Sequence, residues 1–66
     1  MISVADVLAA LAELERMKDD DEAAHSYEDD LRECVLRAIA EGALDAQPLA
    51  QVVLASSGIE FSRWCA

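Results

Sequence analysis

Basic residues are scarce in this 66-residue chain, which has five Lys and Arg against 14 Asp and Glu, for a formal net charge of −9. A chain this acidic repels DNA, RNA and anionic lipid at long range, so direct nucleic-acid binding is disfavoured. No apolar run reaches the roughly 18 residues of a membrane span, and residues 1–14 lack the basic start of a signal peptide. The sequence therefore predicts a cytoplasmic protein that does not bind membranes.

Aromatic residues and cysteines are also few. Tyr27, Phe61 and Trp64 are the three aromatics, so Leu, Ile, Val and Ala must supply most of the core of a single small domain. A chain of this size buries only about 60% of its unfolded surface, so self-association would add needed stability. Cys34 and Cys65 are expected to be reduced thiols, with Cys34 buried as a small apolar residue; a disulfide between them is a minor alternative.

The residue types that carry chemistry do not occur at recognisable spacings. His25, Cys34 and Cys65 are not arranged as the paired ligands of a zinc site. The acidic run that begins at Asp19 has alanines at the fifth and sixth positions, where a calcium loop needs an oxygen ligand and then glycine. A helix-turn-helix is disfavoured because Pro48 would interrupt the recognition helix. We therefore expect a protein that is not an enzyme and has no metal or cofactor.

Apolar periodicity predicts an all-α fold of three helices. Ser3 and Asp6 have the spacing of a capping box and open a helix over about 4–17. Residues 18–26 interrupt the apolar pattern and are expected to form an acidic joint, with a second helix over about 27–41. The alternative is one continuous helix over 3–41. The first two helices are expected to form a hairpin.

A glycine and a proline bracket the third predicted helix. Gly42 fits a left-handed residue after helix 2, and Pro48 suits the first turn of a helix over about 48–57. Ile59 is expected to fold back on Leu54 around Gly58. Residues 59–66 then form an aromatic C-terminal tail.

The second helix carries an unusually wide apolar face. At about 100° per residue, apolar side chains extend over roughly 200°, whereas a helix with one neighbour needs little more than about 100°. Such a helix is expected to lie centrally and to contact two neighbours. Leu36 and Leu54 fall outside the main apolar stripes of helices 2 and 3, so we expect them to form the interface of a homodimer.

Negative charge is concentrated in residues 13–33, which hold ten acids and three bases and so contribute −7 of the net −9. Charge that served only solubility would be more evenly distributed, so this segment is a candidate docking surface for a basic partner. A solvated acidic joint is the alternative interpretation. The predicted acidic surface consists of Asp19, Asp20, Asp21, Glu22, Glu28, Asp29 and Asp30.

The tail contains a second candidate surface, formed by Phe61, Arg63 and Trp64. Tryptophan and arginine are enriched among the residues that dominate binding energy at protein interfaces. The alternative is that the two aromatic side chains close one end of the helical core.

In size, acidity and helical composition the chain is similar to small accessory proteins of bacteriophages and mobile elements, including anti-CRISPR proteins and other host-factor inhibitors. The similarity is one of type and covers no specific residues. We expect a non-catalytic, acidic protein-binding module that docks on a partner with a basic or apolar surface and inhibits or regulates it. The alternatives are a nucleic-acid mimic that blocks a basic groove, and a small structural or assembly subunit.

Overall fold

The computed structural model describes residues 1–63, so Trp64 and Cys65 lie outside the described part of the chain. These residues form three α-helices, α1 (Val4–Arg16), α2 (Asp21–Ala40) and α3 (Ala46–Leu54), followed by a 3₁₀ turn at Ala55–Gly58. The prediction of an all-helical fold with three helices is confirmed, and residues 1–63 contain no strand.

The start of α1 follows the predicted capping box. The backbone N–H of Asp6 donates to Ser3 Oγ at 3.1 Å, and the N–H of Ser3 donates to Asp6 Oδ2 at 2.9 Å. These two bonds satisfy donors that have no partner within the helix. α1 ends at Arg16, one residue before the predicted boundary.

The second helix begins earlier than predicted, at Asp21 rather than residue 27. Asp20 caps it by accepting a hydrogen bond from the N–H of Ala23 at 3.2 Å, and Asp21 and Glu22 then lie in the first turn, where negative charge is favourable. The predicted acidic joint over 18–26 is therefore mostly helical. Only a short turn separates α1 from α2, and the alternative of a continuous helix is also wrong.

Helix α2 ends as predicted from Gly42, with this glycine in a left-handed conformation after the last turn. Gly42 has φ of +96°, the left-handed conformation that closes a helix, and its N–H donates to the carbonyl of Ile39 at 3.1 Å. A short turn then leads into α3, which begins at Ala46, two residues before the predicted start.

The two glycines predict substitution effects of opposite sign. Gly42→Ala should cost about 1 kcal/mol, because a Cβ is unfavourable at positive φ. Gly58→Ala is the matched control, because Gly58 does not have positive φ and a Cβ at either glycine would meet no described atom within 4 Å. The alanine lowers the conformational entropy of the unfolded chain, so this substitution should stabilise the protein by up to about 1 kcal/mol. Urea unfolding followed by circular dichroism measures the free energy of unfolding of both variants. Equal changes would contradict the assignment of positive φ to Gly42 and not to Gly58.

The end of α3 differs from the predicted helix over 48–57. Regular α-helix stops at Leu54 and tightens into the 3₁₀ turn, whose last contact is from the N–H of Ile59 to the carbonyl of Ser56 at 3.0 Å. Because Gly58 does not enter the left-handed region, the predicted fold-back of Ile59 on Leu54 around it is wrong.

The core lies where α3 meets the other two helices. α3 packs extensively on both α1 and α2, whereas α1 and α2 share a smaller contact. The central position predicted for helix 2 therefore belongs to α3. The buried apolar cluster consists of Val7, Leu31, Val35, Ala38, Leu49 and Val53.

One residue of α2 contradicts its predicted burial. Cys34 is exposed, although it was expected to be buried as a small apolar residue. Within the described residues, no helix is both long enough and apolar enough to cross a membrane.

Candidate functional site

An apolar groove runs between α2 and α3, and its floor includes Val35 and Val53 of the core cluster. It encloses about 220 Å³. Its described lining includes one charged residue, Arg32, and no carboxylate. The lining consists of Arg32, Val35, Leu36, Ile39, Ala50, Val53 and Leu54.

The two leucines predicted to form an interface line this same groove. Leu36 is 64% exposed and Leu54 is 60% exposed, although both belong to helices that pack against each other. The structure thus brings together, on one surface, residues that are 18 positions apart in the sequence. Other exposed leucines, Leu8 and Leu44, do not line this groove.

Most of the predicted acidic surface is accessible on the first half of α2. Glu22, Asp29 and Asp30 are exposed on the helix, and Asp19 is exposed in the preceding turn. Asp20 is also exposed, but its carboxylate is used in capping α2. Because the helix includes these acids, most of them have a fixed spacing instead of belonging to a loop.

Glu28 does not belong to the accessible acidic surface, because it is only 4% exposed. Both of its carboxylate oxygens pair with the guanidinium of Arg63, at 2.9 Å from Nε to Oε1 and 3.0 Å from Nη2 to Oε2. The carboxylate is therefore bound within the chain. Helical periodicity could have separated Glu28 from its exposed neighbours, because it lies three residues before Leu31 and seven before Val35, on the buried stripe of α2. Its partner Arg63, 35 residues away, has no such local signal.

The surroundings of Glu28 favour its charged form. The hydrogen bonds from Arg63 hold the pKa of the Glu28 carboxyl below its usual 4.5, against the opposing effect of burial, and the Ser56 hydroxyl and Arg32 lower it further. Arg32 is close enough to contribute, with Nη2 3.8 Å from Glu28 Oε2.

Arg32 was missed as a site residue by the sequence analysis. Its Nη2 donates to the hydroxyls of Ser56 at 2.8 Å and Ser57 at 3.0 Å, which ties α2 to the 3₁₀ turn. Its Nε is buried and has no hydrogen-bond partner among the described residues. Arg32 thus lies between the groove and the buried carboxylate of Glu28.

Residues 59–63, which we call the C-terminal strap, cross the first half of α2. Arg63 donates to the carbonyls of Ser56 at 3.2 Å and Ile59 at 3.1 Å, and its guanidinium carbon lies 3.9 Å from the centroid of the Phe61 ring. The N–H of Ser62 donates to Asp21 Oδ1 at 3.1 Å. Two tail residues predicted to bind a partner, Phe61 and Arg63, therefore contact each other, and Arg63 also contacts α2.

His25, the one histidine of the chain, lies on α2. His25 Nε2 is 3.7 Å from Asp29 Oδ2, one helical turn away. Within residues 1–63, no group of three or more His, Cys, Asp or Glu side chains is arranged to hold a metal ion.

Comparisons of the chain with protein-family models, with curated protein sequences and with solved structures found no match in any of the three.

Proposed function

We propose that this chain is a small, non-catalytic protein-binding module that pairs with a second copy of itself through the α2–α3 groove and docks on a partner protein to inhibit or regulate it. The observation that carries the proposal is the exposure of Leu36 and Leu54 side by side in one groove. Water-exposed leucines on a preformed apolar surface favour a protein contact.

The groove also suits a second copy electrostatically. Each molecule carries a net charge of −9, so two copies repel each other through their acids. The groove lining includes Arg32 and no carboxylate among its described residues, so pairing there keeps the acidic halves of α2 out of the contact. Contact through the groove is therefore less costly than contact through the acidic half of α2.

The expected affinity of the pair is low. Covering a leucine that is about 60% exposed gains roughly 1–2 kcal/mol, so four leucines in a two-fold pair supply about 4–8 kcal/mol. The loss of rotational and translational freedom on association offsets part of this gain, so dissociation constants between about 0.1 and 1 mM are expected.

Sedimentation velocity over that concentration range tests the pairing. Wild type should form dimers, and the Leu36→Ser/Leu54→Ser variant should remain monomeric because it lacks the exposed apolar surface that pairing would bury. Leu8→Ser/Leu44→Ser is the matched control, since it removes the same number of exposed leucines elsewhere, and it should dimerise like wild type. A monomeric wild type at about 1 mM, or equal loss in both variants, would contradict the proposal.

The exposed acids of α2 are proposed to face the partner protein. In capture experiments from cells of the source organism, Asp29→Lys/Asp30→Lys should lose the partner, and Glu41→Lys/Asp45→Lys, with the same charge change elsewhere, should retain it. Asp20 is left unchanged because it caps α2. Identical capture by both variants would exclude docking through the acidic surface.

Salt separates the two kinds of contact. Added salt should strengthen pairing between two negatively charged copies and weaken docking on a basic partner.

Mimicry of a nucleic acid is less well supported. Residues 20–33 span about 20 Å, over which a DNA duplex carries about 12 charges. That span exposes five acids, Asp20, Glu22, Asp29, Asp30 and Glu33.

A further inference from the structure

The guanidinium of Arg63 occupies a pocket whose main binding group, the carboxylate of Glu28, belongs to α2. Glu28 supplies both carboxylate oxygens from the helix, and the 3₁₀ turn supplies the carbonyl of Ser56. Paired, parallel hydrogen bonds between a carboxylate and a guanidinium are the geometry with which proteins select arginine over lysine. We call this arrangement the Glu28 pocket.

The strap that delivers Arg63 has little structure of its own. Residues 60–63 belong to no helix, and one bond between the strap backbone and α2 runs from the Ser62 N–H to Asp21. The Arg63 side chain is 37% exposed, so water and other molecules reach one side of it. Such a segment opens at lower free energy than the buried core does.

A second cation near Glu28, Arg32, lowers the free energy needed to release Arg63 from the pocket. A buried carboxylate left without a cation is strongly unfavourable. Arg32, however, already lies 3.8 Å from Glu28, and its Nε is buried without a partner. When Arg63 leaves, Glu28 therefore keeps a positive charge beside it.

We propose that the Glu28 pocket is an arginine-binding site, and that an arginine on an extended segment of the partner protein replaces Arg63 in it. The proposal rests on the proposed protein-binding function and adds the chemistry of the partner. The strap is then an internal competitor that occupies the site until the partner arrives.

The tether of the strap sets what the partner must provide. A segment joined to its site by a short linker has an effective concentration in the millimolar range, so an isolated arginine competes poorly. The partner needs further contacts. Glu22 and Asp29 are exposed and directly follow Asp21 and Glu28, the two acids that the strap uses, so basic residues that flank the partner arginine would find carboxylates there.

A peptide with the sequence of residues 59–63, amidated at its C-terminus, is the probe, and binding to full-length protein is followed by backbone NMR shifts. Arg63→Ala should bind it about tenfold more tightly than wild type, because the site is no longer occupied by the strap. Shifts should centre on Glu28, Asp21 and Ser56, and the bound peptide should raise the thermal stability of the variant. The same peptide ending in alanine should not bind.

Three results would overturn the proposal. The first is no peptide binding by folded Arg63→Ala; the second is equal affinity for wild type and Arg63→Ala, which would indicate non-specific attraction to the acids. The third is unchanged binding by Glu28→Gln/Arg63→Ala, which lacks the charged carboxylate.

Hydrogen exchange of wild type provides a test that needs no substitution. The Ser62 amide should be protected, yet should exchange at least about 100-fold faster than the amides of Leu31 and Val35 in the core of α2, because the strap opens alone. Exchange of all three at one rate would mean that the strap opens only on global unfolding, and would overturn the proposal.

The pocket and the groove can fail separately. Peptide binding by the monomeric Leu36→Ser/Leu54→Ser variant that also carries Arg63→Ala would support the pocket whatever the outcome for self-association. Dimerisation of wild type without peptide binding by Arg63→Ala would support the groove as a dimer interface and contradict the Glu28 pocket as an arginine-binding site.

Discussion

Replacing Leu49 with alanine is expected to unfold a substantial fraction of the protein, with a loss of about 3 kcal/mol in the free energy of unfolding. Leu49 is fully buried in the α3 face that contacts both other helices. Removal of its side chain loses transfer free energy and leaves a cavity among Val7, Val35 and Val53, which belong to the same cluster. At the usual stability per residue, a chain of 66 residues has only roughly 3–10 kcal/mol in total.

Urea unfolding followed by far-ultraviolet circular dichroism measures this loss. Leu44→Ala removes the same atoms from a fully exposed position in the turn before α3, so its free energy of unfolding should stay within about 0.5 kcal/mol of wild type. Similar destabilisation by both substitutions would show that Leu49 is not at the centre of the core.

Arg63→Ala is expected to cost about 2 kcal/mol at neutral pH, because it removes two charge-assisted hydrogen bonds from a buried carboxylate. The cost stays below that of breaking a fully buried ion pair, since Arg63 is partly exposed and Arg32 lies near Glu28. Arg37→Ala is the matched control. It breaks an ion pair with Glu33 whose two side chains are 71% and 64% exposed, and should cost less than about 0.5 kcal/mol.

Acid should abolish the difference between wild type and Arg63→Ala. The pKa of Glu28 is lowered in the folded protein, so its contribution to stability is complete above the ordinary value of 4.5 and is lost as the pH falls through the lowered value. The two proteins should therefore approach each other in urea midpoint below that pH. A constant difference at all pH values would show that the Glu28 charge is not what Arg63 stabilises.

The parts of the fold that the sequence predicted are those set by local interactions. Ser3 and Asp6 cap each other across one helical turn, and Gly42 meets a local requirement for positive φ. The start of α2 was misplaced for a related reason. The predicted start at residue 27 follows Ser26, and Asp20 and Ser26 are both of residue types that cap helices, so the sequence does not decide between them; in the structure Asp20 is the cap.

The candidate site shows the same division between local and distant effects. The exposure of Leu36 and Leu54 follows from helical periodicity, so both were identified from the sequence, but their placement in one groove depends on how α2 and α3 pack. The burial of Glu28 depends on Arg63, which is 35 residues away. Helical periodicity places Glu28 on the same stripe as Leu31 and Val35, but it does not identify the distant arginine that allows a carboxylate to be buried there. Glu28 was grouped with the exposed acids because of its charge.

The packing of α3 between α1 and α2 also bears on how the protein is made. α1 leaves the ribosome first, yet its most extensive contacts are with α3, which is synthesised after both other helices. Until Leu49 and Val53 emerge, the apolar faces of α1 and α2 are without the helix that covers them. The nascent chain should consequently remain sensitive to proteases until α3 has left the ribosome, and then complete its core in a single step.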